Sequence, residues 1–366
     1  MKIKLQPMKK AAILLLSALS FLSCNPDSSE KETETVREPN SFAIVIHGGA
    51  GGIKREYFTQ EQQDAYAEKL QEALDAGYAI LEKGGISLDA VQAAINVMED
   101  SPLFNAGKGA VYNSEGNQEM DAAIMDGKTL NAGAVAGVNH IKNPILAARM
   151  VMDSSEHVML SGKGAEILAK KFGIEMVDSS YFFTEKRLNQ LREIQGKEKT
   201  PLDHTAYLIK NELIDDHKFG TVGAVAMDKN GNIAAGTSTG GMTNKKYGRI
   251  GDVPIIGAGT YANNLTCGIS CTGTGEYFMR TVAAHEVSSL IKYKKLSPKE
   301  ALHEVLFNQI GPLGGEGGMI LLDKNSDVYW DFNSTGMFRG FKKSSGETKV
   351  EMFEKGPLAP KGEFKK

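Results

Sequence analysis

Thr221 stands directly after a glycine, at the head of the apolar run Val222-Gly223-Ala224-Val225-Ala226-Met227. A threonine hydroxyl is a weak nucleophile until a base takes its proton, and the triad logic normally recruits a separate histidine. Cutting the bond between Gly220 and Thr221 would free an α-amine on the same residue, within reach of its own hydroxyl. That amine has a reference pKa of about 7.7–8.0, which suits a base working near neutral pH. Gly220 has no Cβ, so the chain can take a strained conformation at the bond to be cut.

A second pair of reactive types lies downstream. Arg249 precedes Asp252 by three residues in a glycine-rich loop. On a surface the two would form an ion pair worth about 1 kcal/mol or less. In a cleft they would clamp an amino acid, Arg249 forked on an α-carboxylate and Asp252 on an α-ammonium. With both backbone groups of an aspartyl unit held, the side-chain carbonyl alone is left to attack.

These residues need a scaffold that brings them together. Val222, Ala224 and Ala226 fall on one strand face and Val225 and Met227 on the other, the pattern of a strand buried between two layers. Asp228-Lys229-Asn230-Gly231-Asn232 predicts a hairpin turn, and the return strand over 233–237 runs on to Thr239. Thr221 and Thr239 therefore meet at one end of the hairpin. Ahead of it the patterns predict a strand over 42–46, a glycine-rich loop over 47–52, and a helix over 60–83. A second helix, capped by Ser87, runs to 99; strands follow at 119–125 and 132–138, then a helix opened by Pro144, a short strand at 157–160 and a helix after Gly162. Behind it come strands at 254–259 and 266–272, a helix over 276–293, a capping box at Ser297 and Glu300, and a strand pair at 319–322 and 328–332. The tail from Gly340 reads as polar and loose. His47 reads as a structural histidine rather than a catalyst.

Net charge is -3 with no basic patch, which argues against a nucleic-acid partner. Cys267 and Cys271 lie four residues apart, roughly 13 Å on a strand and too far to bridge, so both read as packing residues. Residues 1–23 carry Lys2, Lys4, Lys9 and Lys10 ahead of an apolar core over 11–22, which is short for a membrane span and right for a signal peptide. Ser23-Cys24 reads as a lipoprotein processing site with Cys24 lipidated, followed by a disordered tether over 24–40. The resulting expectation is an exported bacterial lipoprotein of the periplasm or outer membrane. Residues 178–218 are rich in mixed charge and read as a mobile linker just ahead of the junction. A cut there would divide the hydrolytic domain into an α subunit, 41–220, and a β subunit, 221–366.

Taken in order, several stretches resemble the plant-type L-asparaginase / isoaspartyl peptidase family of N-terminal-nucleophile hydrolases. They are His47-Gly48-Gly49-Ala50-Gly51, Pro102-Leu103-Phe104-Asn105-Ala106-Gly107, Met125-Asp126-Gly127, Gly220-Thr221-Val222-Gly223-Ala224-Val225-Ala226, Thr237-Ser238-Thr239-Gly240-Gly241-Met242-Thr243-Asn244-Lys245, Gly248-Arg249-Ile250-Gly251-Asp252 and Cys271-Thr272-Gly273-Thr274-Gly275-Glu276. The resemblance runs from about Phe42 to Arg339. It implies an α+β fold, a four-layer αββα sandwich, with Thr221 as nucleophile and Thr239 positioning its hydroxyl. Thr272 and the N–H of Gly273 would stabilise the oxyanion. The substrate, asparagine or an isoaspartyl peptide, would lie against Arg249, Ile250, Gly251, Asp252, Thr272, Gly273, Thr274, Gly275 and Asn105. No cofactor is implied for catalysis. A structural sodium ion would sit on the main-chain carbonyls of Met98, Glu99, Ser101, Phe104, Ala106 and Lys108. The partners implied are a small-molecule substrate and a dimer of αβ heterodimers. Two other readings stay open. Glycosylasparaginase shares the fold but carries Thr-Thr-Ser-Gly where this chain has Thr237-Ser238-Thr239-Gly240-Gly241, and a lipid-anchored, non-catalytic homologue would share tether and fold.

Overall fold

The hairpin is the centre of a large sheet in the computed structural model, which describes residues 38–198 and 220–353. Strands β5 (Val222–Met227) and β6 (Ile233–Thr239) pair antiparallel, with Val222 opposite Ser238 and Met227 opposite Ile233. Asp228 makes the turn, its Oδ1 accepting from the N–H groups of Asn230 at 2.9 Å and Asn232 at 3.0 Å. An aspartate that bonds backbone two residues on is the usual way such a turn is held. Thr221 and Thr239 are thereby fixed at the same end.

Around the hairpin lie β1 (Ala43–Gly51), β2 (Met120–Asp126), β3 (Ala132–Val138), β4 (Met159–Ser161), β11 (Gly336–Lys343) and β12 (Thr348–Glu351). The eight strands run β12-β11-β1-β5-β6-β2-β3-β4. A second sheet of four runs β10 (Val328–Phe332), β9 (Gly317–Asp323), β8 (Cys267–Gly273), β7 (Thr260–Ala262). Three apolar layers separate the elements. Val222, Ala224 and Ala226 face α1 (Gln60–Glu82) and α2 (Ser87–Glu99) through Leu70, Leu74, Val91 and Ile95. Val225 and Met227 face the second sheet through Ile320 and Leu322. Cys267, Ile269 and Cys271 line the third layer with Phe278, Val287 and Leu302 from the helices beyond. The order is helices, sheet, sheet, helices: the four-layer αββα sandwich. Both cysteines are free and buried, as packing residues should be.

Several local expectations are corrected. β1 does not stop at residue 46 but continues through the glycines to Gly51, bulging between His47 and Gly49. Ser87 is the first helical residue rather than the cap, since Ile86 holds the extended cap position. Residues 254–259 form a loop, not a strand. Its carbonyls at Gly257 and Ala258 accept the N–H groups of His285 and Ala284. That docking explains why the helix expected over 276–293 breaks into Gly275–Thr281 and Ala283–Ser289, with Val282 left-handed at φ 48°. The described part of the tail, 340–353, is not loose either: β11 pairs with the edge of β1, β12 pairs with β11, and Phe341 and Phe353 are buried.

The segment read as a mobile linker is helical in its first half. Helix α3 (Glu185–Glu198) buries Arg187, whose Nε donates to the carbonyl of Gly109 at 2.9 Å, while Phe182 just ahead of it is buried in the main core. Residues 199–219, the signal segment, Cys24 and most of the tether lie outside the described residues.

Candidate active site

Thr221 Oγ1 donates to Thr239 Oγ1 at 3.2 Å, and Thr239 Oγ1 also accepts the N–H of Gly241 at 3.0 Å. Both threonines are buried. β8 brings Thr272 to the same place: its Oγ1 lies 2.9 Å from where a Cβ on Gly220 would stand. The Thr272 oxygen accepts the N–H of Ala50 at 3.3 Å, which leaves its hydrogen to donate elsewhere. Gly273, next in the chain, is exposed and ends β8. Gly49, left-handed at φ 114°, presses on the junction, for a Cβ there would meet the Gly220 nitrogen at 2.7 Å. Three hydroxyls and a glycine loop thus surround the one peptide bond singled out by its sequence.

The clamp residues come together at Gly275. A Cβ on that glycine would lie 2.7 Å from Asp252 Oδ1 and 3.0 Å from Arg249 Nη2, so the two charged groups share one small space. Burial pushes the Asp252 carboxyl up to about 7, against the opposing pull of Arg249, and its Oδ2 is buried without a hydrogen-bond partner. A buried carboxylate oxygen without a partner is costly, and a substrate ammonium would satisfy it. Arg249 is forked on Glu276, with Nε and Nη2 each 2.8 Å from a carboxylate oxygen. Gly251 is buried beside Arg249, while Ile250 is exposed and Thr274 leads from Gly273 into the helix at Gly275.

Asn105, expected against the substrate, has its side chain engaged within the protein. Nδ2 donates to the carbonyl of Gly241 at 2.7 Å and Oδ1 accepts the N–H of Val111 at 3.0 Å. It ties its loop to the chain just past Thr239. Glu276 is the partner that sequence reasoning passed over: it appeared as the end of a motif and the start of a helix, where an acidic residue also serves the helix dipole.

The loop expected to hold a cation offers oxygen ligands. The carbonyls of Met98 and Ala106 accept the N–H groups of Ser101 and Gly109. A Cβ on Gly107 would meet the Glu99 carbonyl oxygen at 2.3 Å, and one on Gly109 the Phe104 carbonyl oxygen at 2.0 Å. Those glycines leave the Glu99 and Phe104 carbonyls uncovered, and hard cations such as sodium or calcium take such oxygens. The residues present therefore fit the ion. Among the described residues no cluster of three or more His, Cys, Asp or Glu side chains offers another metal site.

Compared with known proteins, residues 40–352 match the Asparaginase_2 family model, described as asparaginase. The isoaspartyl peptidase of Salmonella typhimurium is 48% identical over 302 residues, covering 82% of this chain and 95% of the relative. That of Escherichia coli is 48% identical over 298 residues, covering 81% and 92%. A plant-type L-asparaginase of Pyrococcus furiosus is 42% identical over 308 residues, covering 82% and 96%. These relatives overturn the expected export as a lipoprotein to the periplasm or outer membrane. The shared region begins at residue 40 and takes up almost the whole of the bacterial isoaspartyl peptidases, so the kinship lies in the hydrolytic domain. Among the described residues no helix is long and apolar enough to cross a membrane.

Proposed function

The chain belongs to the asparaginase family, and on that footing we propose that it is an N-terminal-nucleophile threonine hydrolase, an isoaspartyl peptidase / L-asparaginase. The observation that carries the reading is the convergence of Thr221, Thr239 and Thr272 on the bond after Gly220. In the activating step the Thr221 hydroxyl attacks the Gly220 carbonyl carbon. The amide becomes an ester, and water cleaves the ester to leave a carboxylate on Gly220 and a free amine on Thr221.

Hydrolysis then uses the same oxygen. The freed amine takes the hydroxyl proton as Thr221 Oγ1 bonds to the substrate side-chain carbonyl carbon. Thr272 and the Gly273 N–H donate to the oxyanion, and losing one such donor typically costs about 3 kcal/mol. On collapse the carbon–nitrogen bond breaks, and the leaving ammonia or amino-acid amine recovers the proton. Water releases aspartate from the ester. Arg249 and Asp252 hold the α-carboxylate and α-ammonium throughout, the carboxylate sharing Arg249 with Glu276.

A cation on the Glu99 and Phe104 carbonyls would supply charge that stiffens the loop carrying Asn105. The two fragments would stay joined, since the cut leaves β5 hydrogen-bonded between β1 and β6 in one sheet. Two such αβ units would assemble as a dimer, which light scattering of the cut protein tests. The activity itself is tested with β-Asp-Leu and its N-acetylated form. Hydrolysis of the first alone is expected; equal rates on both would show that the ammonium is not read, and a general threonine protease would replace this reading.

A further inference from the structure

Backbone pairing between β1 and β5 ends with His47 opposite Gly223, because β1 bulges immediately afterwards. The carbonyl of Thr221 lies just beyond that last pair. A side chain supplies its donor instead: His47 Nδ1 is 3.1 Å from Thr221 O. A carbonyl oxygen can only accept, so Nδ1 carries the hydrogen. Burial holds the imidazole neutral by lowering its pKa to about 3, in spite of the opposing bond to Thr221, so Nε2 must be an acceptor.

That assignment propagates. Ser270 Oγ is 2.9 Å from His47 Nε2 and must donate to it. With its hydrogen spent, Ser270 accepts from Thr237 Oγ1 at 2.7 Å, and Thr237 accepts from Thr260 Oγ1 at 2.6 Å. The longer approaches of Thr237 to Gly259 O, at 3.2 Å, and of Thr260 to Val253 O, at 3.4 Å, are secondary. All four side chains are fully buried, and they come from β1, β8, β6 and β7, so both sheets contribute. Gly223 makes the space, since a Cβ there would lie 2.0 Å from Ser270 Oγ and 2.3 Å from His47 Nε2. A buried polar chain with each member satisfied holds its end rigidly.

We propose that His47 is a positioning residue for the nucleophile, pinning the Thr221 carbonyl so that the Cα from which the freed amine and the hydroxyl both project stays in place. The inference rests on the proposed mechanism. After the cut, Thr221 has no covalent neighbour on its nitrogen side, and a tilt of its peptide plane with Val222 would carry amine and hydroxyl together away from the substrate. A carbonyl held by His47 resists that tilt. Misplacement of reacting groups by about 1 Å can cost on the order of a hundredfold in rate.

Two substitutions separate this role from a merely structural bridge. His47→Asn places an amide nitrogen near the Nδ1 position and can still donate to Thr221 O. His47→Gln reaches toward Ser270 and leaves the carbonyl bare. On β-Asp-Leu we expect His47→Asn to hold kcat within about tenfold and His47→Gln to lose on the order of a hundredfold, with KM little changed in either. Equal losses in both, or rescue by Gln alone, would overturn the proposal. Nitrogen-15 spectra of histidine-labelled protein give a readout independent of turnover: His47 should be neutral with its hydrogen on Nδ1. The reverse tautomer or a charged ring sinks the idea whatever the activity. A wild-type protein that is cut yet leaves β-Asp-Leu intact would defeat the substrate reading alone, and His47 would then stand or fall on the spectrum and on whether Asn and Gln differ in cleavage rate.

Discussion

Thr221 and Thr239 are eighteen residues apart in the chain, yet their hydroxyl oxygens stand 3.2 Å apart in a buried site. The contact comes from a five-residue turn between two strands whose alternate residues are buried on both faces. Thr239 accepts from Thr221 and from the Gly241 N–H at once, so its oxygen sits where it can orient the nucleophile without competing for substrate.

Self-cleavage is the first expected outcome. Purified protein should run as two fragments, with the smaller beginning Thr-Val-Gly-Ala on N-terminal sequencing. Thr221→Ala should remain one inactive chain, having lost the hydroxyl needed for both steps. Processing that survives this substitution would show that a separate protease does the cutting.

Thr239→Val keeps shape and removes the acceptor. One hydrogen bond of this kind is worth about 1 kcal/mol net, so kcat should fall roughly five- to tenfold with KM nearly constant. Steady-state kinetics on β-Asp-Leu checks it, and a change confined to KM would mean that Thr239 touches substrate instead.

How far the sequence could carry this picture depends on which signals are local. The faces of β5 and the helices α1 and α2 were legible because period-2 and period-3.6 burial shows directly in residues such as Val225 and Leu74. The bulge in β1 was not, since His47-Gly48-Gly49 reads as a loop until β11 and β5 supply its partners. Nor was α3, whose charged surface hides that Arg187 is buried against Gly109. The break at Val282 is dictated by a loop far away in sequence, which takes up the N–H groups of Ala284 and His285. At the site, the threonines and the Arg249/Asp252 pair were visible as types and spacings. Glu276 and the His47–Ser270 link were not, because each depends on a tertiary contact between residues with other plausible duties.

Gly275→Ala tests whether the clamp is as tight as its geometry. The added methyl would meet Asp252 Oδ1 at 2.7 Å and Arg249 Nη2 at 3.0 Å. Overpacking typically costs about 1–3 kcal/mol, here falling on binding, so KM should rise at least several-fold while cleavage at Gly220 continues. Arg249→Lys should act the same way by losing the planar fork. Loss of processing in either variant would show that the clamp also shapes the junction.

The pH dependence of binding follows from Asp252. Its carboxyl is raised to about 7, first by burial, so the folded protein holds that proton far more tightly than the unfolded chain does. The contribution to stability is accordingly fully present below the unfolded value of 3.8 and is lost as pH rises through about 7. Binding runs the other way, for a substrate ammonium is attracted only by the ionised carboxylate. KM for β-Asp-Leu should therefore be flat above about pH 7 and rise toward tenfold per unit below it. The Thr221 amine, with a reference pKa of about 7.7–8.0, should govern kcat separately. Asp252→Asn should weaken binding above about pH 7 and erase the acid limb of KM while leaving that of kcat. Calorimetry of L-aspartate binding near pH 6, in buffers of different ionisation enthalpy, should register close to one proton released per site. Binding with no proton release, or a KM that stays flat into acid, would show that Asp252 is already ionised and that its burial is compensated by Arg249.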